Sequence, residues 1–482
     1  MAEQISGEQI SGMAEQNTRQ VLVRFEGEGS GVAELTWGQL GMWQSIVAAG
    51  HSKTVGGVST LPDGFRVEDA AETLRYLMSR HQALRTKFPP GPNEIPRQEC
   101  YAAGEIALEI VDAGAADPAE VAAEVHARYQ DESFDYANEW PVRMAVVTQG
   151  DRVPYMVAVY LHLVLDATGM ALLIADIVAR DPATGNGPPV TGMPPLEQAR
   201  RQATPAGQRQ NTAALAYLEH VLRTVPIRPF GPPRYAGEAS FRMLRYRSPA
   251  TLLAAQAIAA QHATNTSPVL VAAYAVAQAR FGGNNPITLM LTVSNRFRPG
   301  LANSISTLSY ISPFMIDIAG IGFADAVSRA AQGTISAYKN AYCDPYEQDV
   351  VLDRVFADRG AEVELSCYYN DRRTQARQAG GNPPTAAQIQ AALPASRLDW
   401  VDDPEMPKSI LYLYVDDAPD AIEFELSGDG RYFSADDLAA LVRCMESVLV
   451  EAVLDPTAPT GVPADLPAGT AAEPAPVPAG SA

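Results

Sequence analysis

The sequence predicts an α/β protein built as two lobes, each a sandwich of strands and helices, and three observations carry that expectation. Its 482 residues exceed what one core supports, since domains run to about 100–200 residues. Hydrophobic residues at 47% against charged residues at 19% supply core for a globular chain. Strand-like and helix-like apolar patterns recur on both sides of a Pro/Gly-rich break, DPATGNGPPVTGMPP at 181–195.

That break sets the expected organisation. Residues 1–17 repeat EQISG and are polar, so they are expected to be disordered, as is the Pro/Ala-rich end at 456–482. The first lobe is placed at 18–180 and the second at 211–455. Between them, 181–210 is read as a linker, which the polar ARRQATPAGQRQ completes.

Within the first lobe, VLVRFEGEGSGVAELT reads as a β-hairpin, with the glycines supplying positive φ in its turn. GEGSG is not a nucleotide loop, because neither GxxxxGK[ST] nor GxGxxG is present. Ala70, Leu74, Leu77, Met78 and Leu84 recur at helical spacing over 67–84. A strand at 155–161 runs into LHLVLDATG (161–169), after which Met170, Leu173, Ile174, Ile177 and Val178 mark a helix with Thr168 placed to cap it. If the strand stayed extended, His162, Val164 and Asp166 would share one side and Leu161, Leu163 and Leu165 would face the core.

The second lobe repeats these signals. Ser248-Pro249 and Ser267-Pro268 each set a capping hydroxyl before a proline at the first helical position. ITLMLTV (287–293) alternates as a strand and delivers Asn295 and Arg296 to its end. FELSGDGRYF reads as a hairpin turning at Asp-Gly, followed by a helix from Ser434 with Leu438, Leu441, Val442, Met445, Val448 and Leu449 on one face.

Charge narrows the function. With 36 Lys+Arg against 56 Asp+Glu the net charge is −20, which disfavours nucleic acid and anionic membrane as partners. Cys100, Cys343, Cys367 and Cys444 lie far apart, so neither a disulfide framework nor a zinc site is indicated. The start lacks a signal-peptide pattern. The longest apolar run, VLVAAYAVA at 269–277, is short of the about 20 residues that span a membrane. A cytoplasmic protein is expected.

Five stretches in order resemble the condensation domains of nonribosomal peptide synthetases, relatives of chloramphenicol acetyltransferase: LTWGQLGMW (35–43), SRHQALRTKF (79–88), FDYANEWPVRMAVV (134–147), LHLVLDATG (161–169) and TSPVLVAAYAVAQARFGGNNPITLMLTVSNR (266–296). TLSYISPFMIDI (307–318) and YCDPYEQ (342–348) add weaker matches. The resemblance implies two acetyltransferase-like lobes arranged as a V with a tunnel between them. It places His162 on the functional histidine of HHxxxDG, Asp166 on its aspartate, and Arg296 as the arginine through which that aspartate orients the site. Tyr310 and Ser312 become substrate-tunnel candidates. His81 and Arg85, in the second motif, are read as packing residues.

The implied activity is that of a free-standing condensation enzyme. It would join an acyl thioester, carried on the phosphopantetheine arm of a carrier protein in trans, to an amine or hydroxyl acceptor, with no bound cofactor and no metal. A neutral imidazole with an ordinary pKa near about 6.5 suits proton acceptance there. Two departures from the motif stand out: Leu161 replaces its first histidine and Ala167 its glycine, where alanine is unfavourable if positive φ is required. Likewise Leu308 and Ser312 replace a glycine and an asparagine. Two further readings therefore stand: a catalytically silent module that recruits a partner enzyme to a carrier protein, and a coenzyme-A-dependent acyltransferase. Arg200-Arg201 and Arg372-Arg373 are candidate basic patches for docking an acidic carrier.

Overall fold

The computed structural model describes residues 17–181, 183–373, 382–402 and 406–464; most of the two expected tails lies outside them. The chain divides into two compact units. One comprises residues up to Gln208 with Ser294–Ser309, and the other comprises Arg209–Val293 with the residues from Tyr310 onward.

The first unit contains β1 (Asn17–Glu26), β2 (Gly31–Glu34), α1 (Trp37–Ala49), β3 (Thr54–Thr60), α2 (Val67–Arg80), β4 (Thr86–Lys87), β5 (Arg97–Cys100), β6 (Ala103–Asp112), α3 (Pro118–Asp131), β7 (Val142–Gln149), β8 (Arg152–Leu161), α4 (Ala167–Val178) and α5 (Pro195–Gln202). Its main sheet runs β1-β6-β7-β8-β3 and a small sheet runs β2-β5-β4. Both faces of the main sheet are covered. Val157 and Val159 of β8 pack with Val121, Ala122 and Val125 of α3, whereas Met144, Val146 and Tyr160 pack with Leu74, Leu77 and Met78 of α2. Period-2 strands with apolar residues on both sides have this origin.

The expected hairpin at 21–36 does not form. β1 pairs with β6 and β2 with β5, because the intervening turn is held by a buried guanidinium. Arg85, 1% exposed, donates to the carbonyls of Glu28, Gly29 and Tyr101. Gly27 is needed there, since a Cβ would lie 2.1 Å from the Ser79 carbonyl oxygen. The helix expected over 67–84 stops at Arg80, and a 3₁₀ turn at Gln82–Arg85 follows. The expected linker at 181–210 is also corrected. α5 buries Leu196, Gln198 and Ala199, and Gln202 Oε1 accepts from the Trp37 amide at 3.1 Å.

The second unit follows with α6 (Pro205–Thr224), β9 (Phe241–Ser248), α7 (Pro249–Gln261), α8 (Thr266–Gly282), β10 (Ile287–Val293), β11 (Tyr310–Ile316), α9 (Phe323–Lys339), α10 (Pro345–Arg359), β12 (Cys367–Asp371), α11 (Ala386–Ala392), β13 (Arg397–Val401), β14 (Leu411–Ala418), β15 (Ala421–Asp429) and α12 (Ala435–Leu454). Among the described residues its sheet is seven-stranded, in the order β11-β10-β12-β14-β15-β9-β13. The run VLVAAYAVA is the buried middle of α8, apolar all round because it is packed all round. No helix among the described residues is long and apolar enough to cross a membrane.

Ser248 caps α7 as expected, accepting from Thr251 N at 2.8 Å. At α8, Asn265 is the cap instead of Ser267, and the Ser267 hydroxyl donates to Asp371 at 2.9 Å. The Asp429-Gly430 pair makes no hairpin turn. β15 pairs with β14 and β9, and the Asp429 carboxylate folds the chain toward α12 by accepting from Arg431 N at 2.9 Å. The described start of the C-terminal tail is packed: Thr460 N donates to Ile321 O at 2.9 Å, Gly320 N donates to Val462 O at 2.8 Å, and both Thr460 and Val462 are buried.

Candidate active site

β8 does not continue through LHLVLDATG. Leu161 N donates to Pro141 O, His162 N to Lys53 O, and Val164 N back to Leu161 O at 3.0 Å. This turn ends the period-2 alternation, so Leu163, Val164 and Leu165 are all fully buried. His162 alone among Leu161–Asp166 keeps partial exposure.

The imidazole is held neutral. Burial lowers its pKa below the ordinary value, opposed more weakly by nearby backbone at His162 and Leu165 and by the Asp166 charge. Its Nδ1 is buried with no hydrogen-bond partner among the described residues. Thr307 Oγ1 donates to the His162 carbonyl, which fixes the backbone while leaving the ring uncommitted.

Asp166 starts α4. It is the N-cap in place of the expected Thr168, because its Oδ1 accepts from Gly169 N at 2.8 Å. The same oxygen accepts from Arg296 Nη2 at 2.7 Å. Oδ2 accepts from Leu308 N, Ser309 N and Ser309 Oγ, each at 3.0 Å. Asp166 is 2% exposed. Five donors occupy this carboxylate, so its work is structural. Arg296 also donates to the carbonyls of Ser304 and Ser306, and Asn295, at φ 57°, turns the chain and donates to Leu308 O at 2.9 Å.

Ala167 carries no strain, since its φ is not positive and it is the first residue of α4. The crowded glycine is Gly169, where a Cβ would lie 3.0 Å from Leu165 Cβ and 3.5 Å from Arg296 Nη2. Sequence reasoning missed Gly169, which takes part through its amide, Thr307, through its hydroxyl, and Ser309, through both.

Tyr310 and Ser312 belong to β11 in the second unit. Tyr310 donates to Gln348 Oε1 at 3.1 Å and meets Tyr342 edge-on. Ser312 is 1% exposed and its hydroxyl donates to Ala337 O at 3.1 Å. In the pair Arg372-Arg373, Arg372 is ion-paired with Asp416 and Glu425 and Arg373 with Asp371. Among the described residues no group of three or more His, Cys, Asp or Glu could hold a metal ion.

Comparison with known proteins follows from this geometry. The model of the condensation domain family matches residues 30–348. Isonitrile lipopeptide synthase of Mycobacterium tuberculosis (strain ATCC 25618 / H37Rv) is 28% identical over 301 residues, covering 58% of this chain. The chain spans only 12% of that relative's length. Among solved structures, the condensation domain from the monacolin K polyketide synthase is similar with a TM-score of 0.67 at 16% identity, over 90% of this chain and 100% of that one. A structure of condensation-domain-mediated chain release from the enacyloxin polyketide synthase gives 0.64 at 19% identity, over 93% and 86%. The X-domain in complex with OxyB from teicoplanin biosynthesis gives 0.63 at 18% identity, over 92% and 97%. These structural likenesses establish the acetyltransferase-like fold.

Proposed function

The chain belongs to the condensation-domain family, and on that premise we propose that it joins an acyl group, carried as a thioester on the phosphopantetheine arm of a carrier protein in trans, to an amine or hydroxyl acceptor. His162 is the general base. As the acceptor attacks the thioester carbonyl, its proton passes to the imidazole, the new C–N or C–O bond forms, and the C–S bond breaks to release the carrier thiol, which takes a proton. The observation that carries this reading is the state of His162: neutral, partly exposed, with a ring nitrogen left without a partner, beside a carboxylate too fully engaged to serve as base.

Two observations favour a second reading, a silent module that recruits another enzyme to a carrier protein. Leu161 stands where the motif has its first histidine, and the fold is shared with an X-domain solved in complex with OxyB.

Intact mass spectrometry of acyl-loaded carrier proteins, incubated with the chain and a panel of amines and alcohols, separates the two. The catalytic reading expects loss of the acyl group from the carrier with a new amide or ester, and a fall of about 10²–10⁴ in rate for His162→Ala. Carrier binding without acyl loss in every pairing would sink it in favour of recruitment.

A further inference from the structure

α4 is lightly packed for a helix at the site. Of its twelve residues only Gly169 and Leu173 are buried, and Ile174 and Val178 are 54% and 80% exposed. Leu173 joins the core, with Met170, Leu172 and Ile177 packed against it, and polar groups hold the two ends of the helix. The N-terminal end is Asp166 with its five donors. The C-terminal end carries a second carboxylate, half-buried.

That carboxylate is Asp176. Arg80 grips it with two parallel bonds of 2.9 Å, from Nε to Oδ2 and from Nη2 to Oδ1. His81 Nε2 lies 2.9 Å from Oδ2. The side chains of His81, Asp176 and Arg80 are 6%, 12% and 19% exposed. Tyr76 OH donates to the Asp176 carbonyl at 3.2 Å, and the Tyr76 ring lies against the guanidinium groups of Arg80 and Arg180. Burial pushes the Asp176 carboxyl up, but the hydrogen bonds from His81 and Arg80 outweigh it and bring the pKa down to about 2.

We propose that Arg80, His81 and Asp176 are positioning residues for His162: they pin the C-terminal end of α4 to α2, and α4 transmits that hold to the turn its N-cap closes. The importance of this hold rests on reading His162 as the reacting base. A helix rises about 1.5 Å per residue, so the two carboxylates are clamps about 15 Å apart on one short rod. Releasing one clamp lets the rod tilt about the other. The His162 turn, four residues upstream of Asp166, moves with it.

The test reads the ring itself and not turnover. The chain has six histidines, so with labelled histidine the His162 ring resonance is assignable by its loss in His162→Gln. In Asp176→Ala the His162 midpoint is expected to move toward the ordinary value by about half a pH unit or more, with its resonance displaced at neutral pH. Glu109→Gln is the control. It disturbs another buried carboxylate of the first unit, bonded to Arg128 and Tyr129, and should leave the His162 signal in place. If Asp176→Ala does not fold, Arg80→Lys keeps the charge but loses the paired grip and is expected to give a smaller displacement in the same direction. A folded Asp176→Ala or Arg80→Lys chain with an unmoved His162 resonance and midpoint overturns the proposal. The two readings fail separately: a displaced His162 in a chain that transfers no acyl group would retain the clamp and discard the base.

Discussion

Asp166 in the first unit and Glu446 in the second are buried carboxylates whose partners come from distant parts of the chain, and the two are satisfied in opposite ways. In the first unit Asp166 meets a cation, Arg296, and four further donors, three of them backbone amides. In the second, Glu446 of α12, 8% exposed, meets three hydroxyls and, among the described residues, no cation within bonding distance: Tyr246 at 2.9 Å, Ser396 at 2.6 Å and Ser248. Hydroxyls rotate to suit an acceptor, whereas a guanidinium and backbone amides have fixed directions. The Glu446 cage therefore fastens α12 to β9 and α7 and tolerates small shifts. The Asp166 network dictates where 296 and 304–309 must lie, and so fixes the carbonyl of His162 through Thr307.

This difference is broken most severely at Asp166. Asp166→Ala strands Arg296, itself 8% exposed, and should cost about 3–5 kcal/mol in urea unfolding. Arg296→Met should cost less, because it leaves a carboxylate still supplied by backbone amides. The pair should not be additive. A double-mutant cycle is expected to return a coupling of about 1–3 kcal/mol, and a coupling near zero would mean that the 2.7 Å contact does no stabilising work.

At Glu446 the expected losses are smaller and graded. Glu446→Ala leaves three hydroxyls, those of the buried Tyr246 and Ser248 and the half-buried Ser396, without their acceptor and should cost about 2–3 kcal/mol. Glu446→Gln retains one carbonyl acceptor and should cost about 1 kcal/mol. If Glu446→Gln proves as damaging as Asp166→Ala, the cage depends on charge after all, and the contrast between the units collapses.

The same contrast explains how much was legible in the sequence. The end of the apolar run at Leu161 and the three-and-four spacing from Met170 marked the strand, the turn and the helix, because a helix buried on one face writes that spacing directly. Which polar group starts α4 was not legible, since Asp and Thr are both good caps and only the folded turn shows that Asp166 reaches Gly169. The expected hairpin at 21–36 failed for a related reason: apolar alternation identifies a strand but not its partner, and Arg85, 56 residues beyond Gly29, decides the course of that turn. The segment 304–309 contributes mainly amides and carbonyls, which every residue type carries. No composition could have singled it out.

The smallest expected effect concerns His162 and pH. Burial holds its pKa below the ordinary 6.5, so in the interval below 6.5 the unfolded chain binds a proton that the folded chain does not. Stability must then fall as pH drops through that window, by at most about 1.4 kcal/mol per pH unit. It stops falling on this account below the folded midpoint, where both states are protonated. In His162→Gln this contribution vanishes, so the stability profile between pH 7 and 5 should be flatter than that of the wild-type chain. Parallel profiles would show that the imidazole is not held neutral by its surroundings. The same sign governs catalysis, because protonation removes the base: kcat/KM for acyl transfer should decline on the acid side with a midpoint below 6.5 that agrees with the His162 ring titration. Agreement of the two midpoints would tie the turn that Asp166 orders to the proton that the reaction must move.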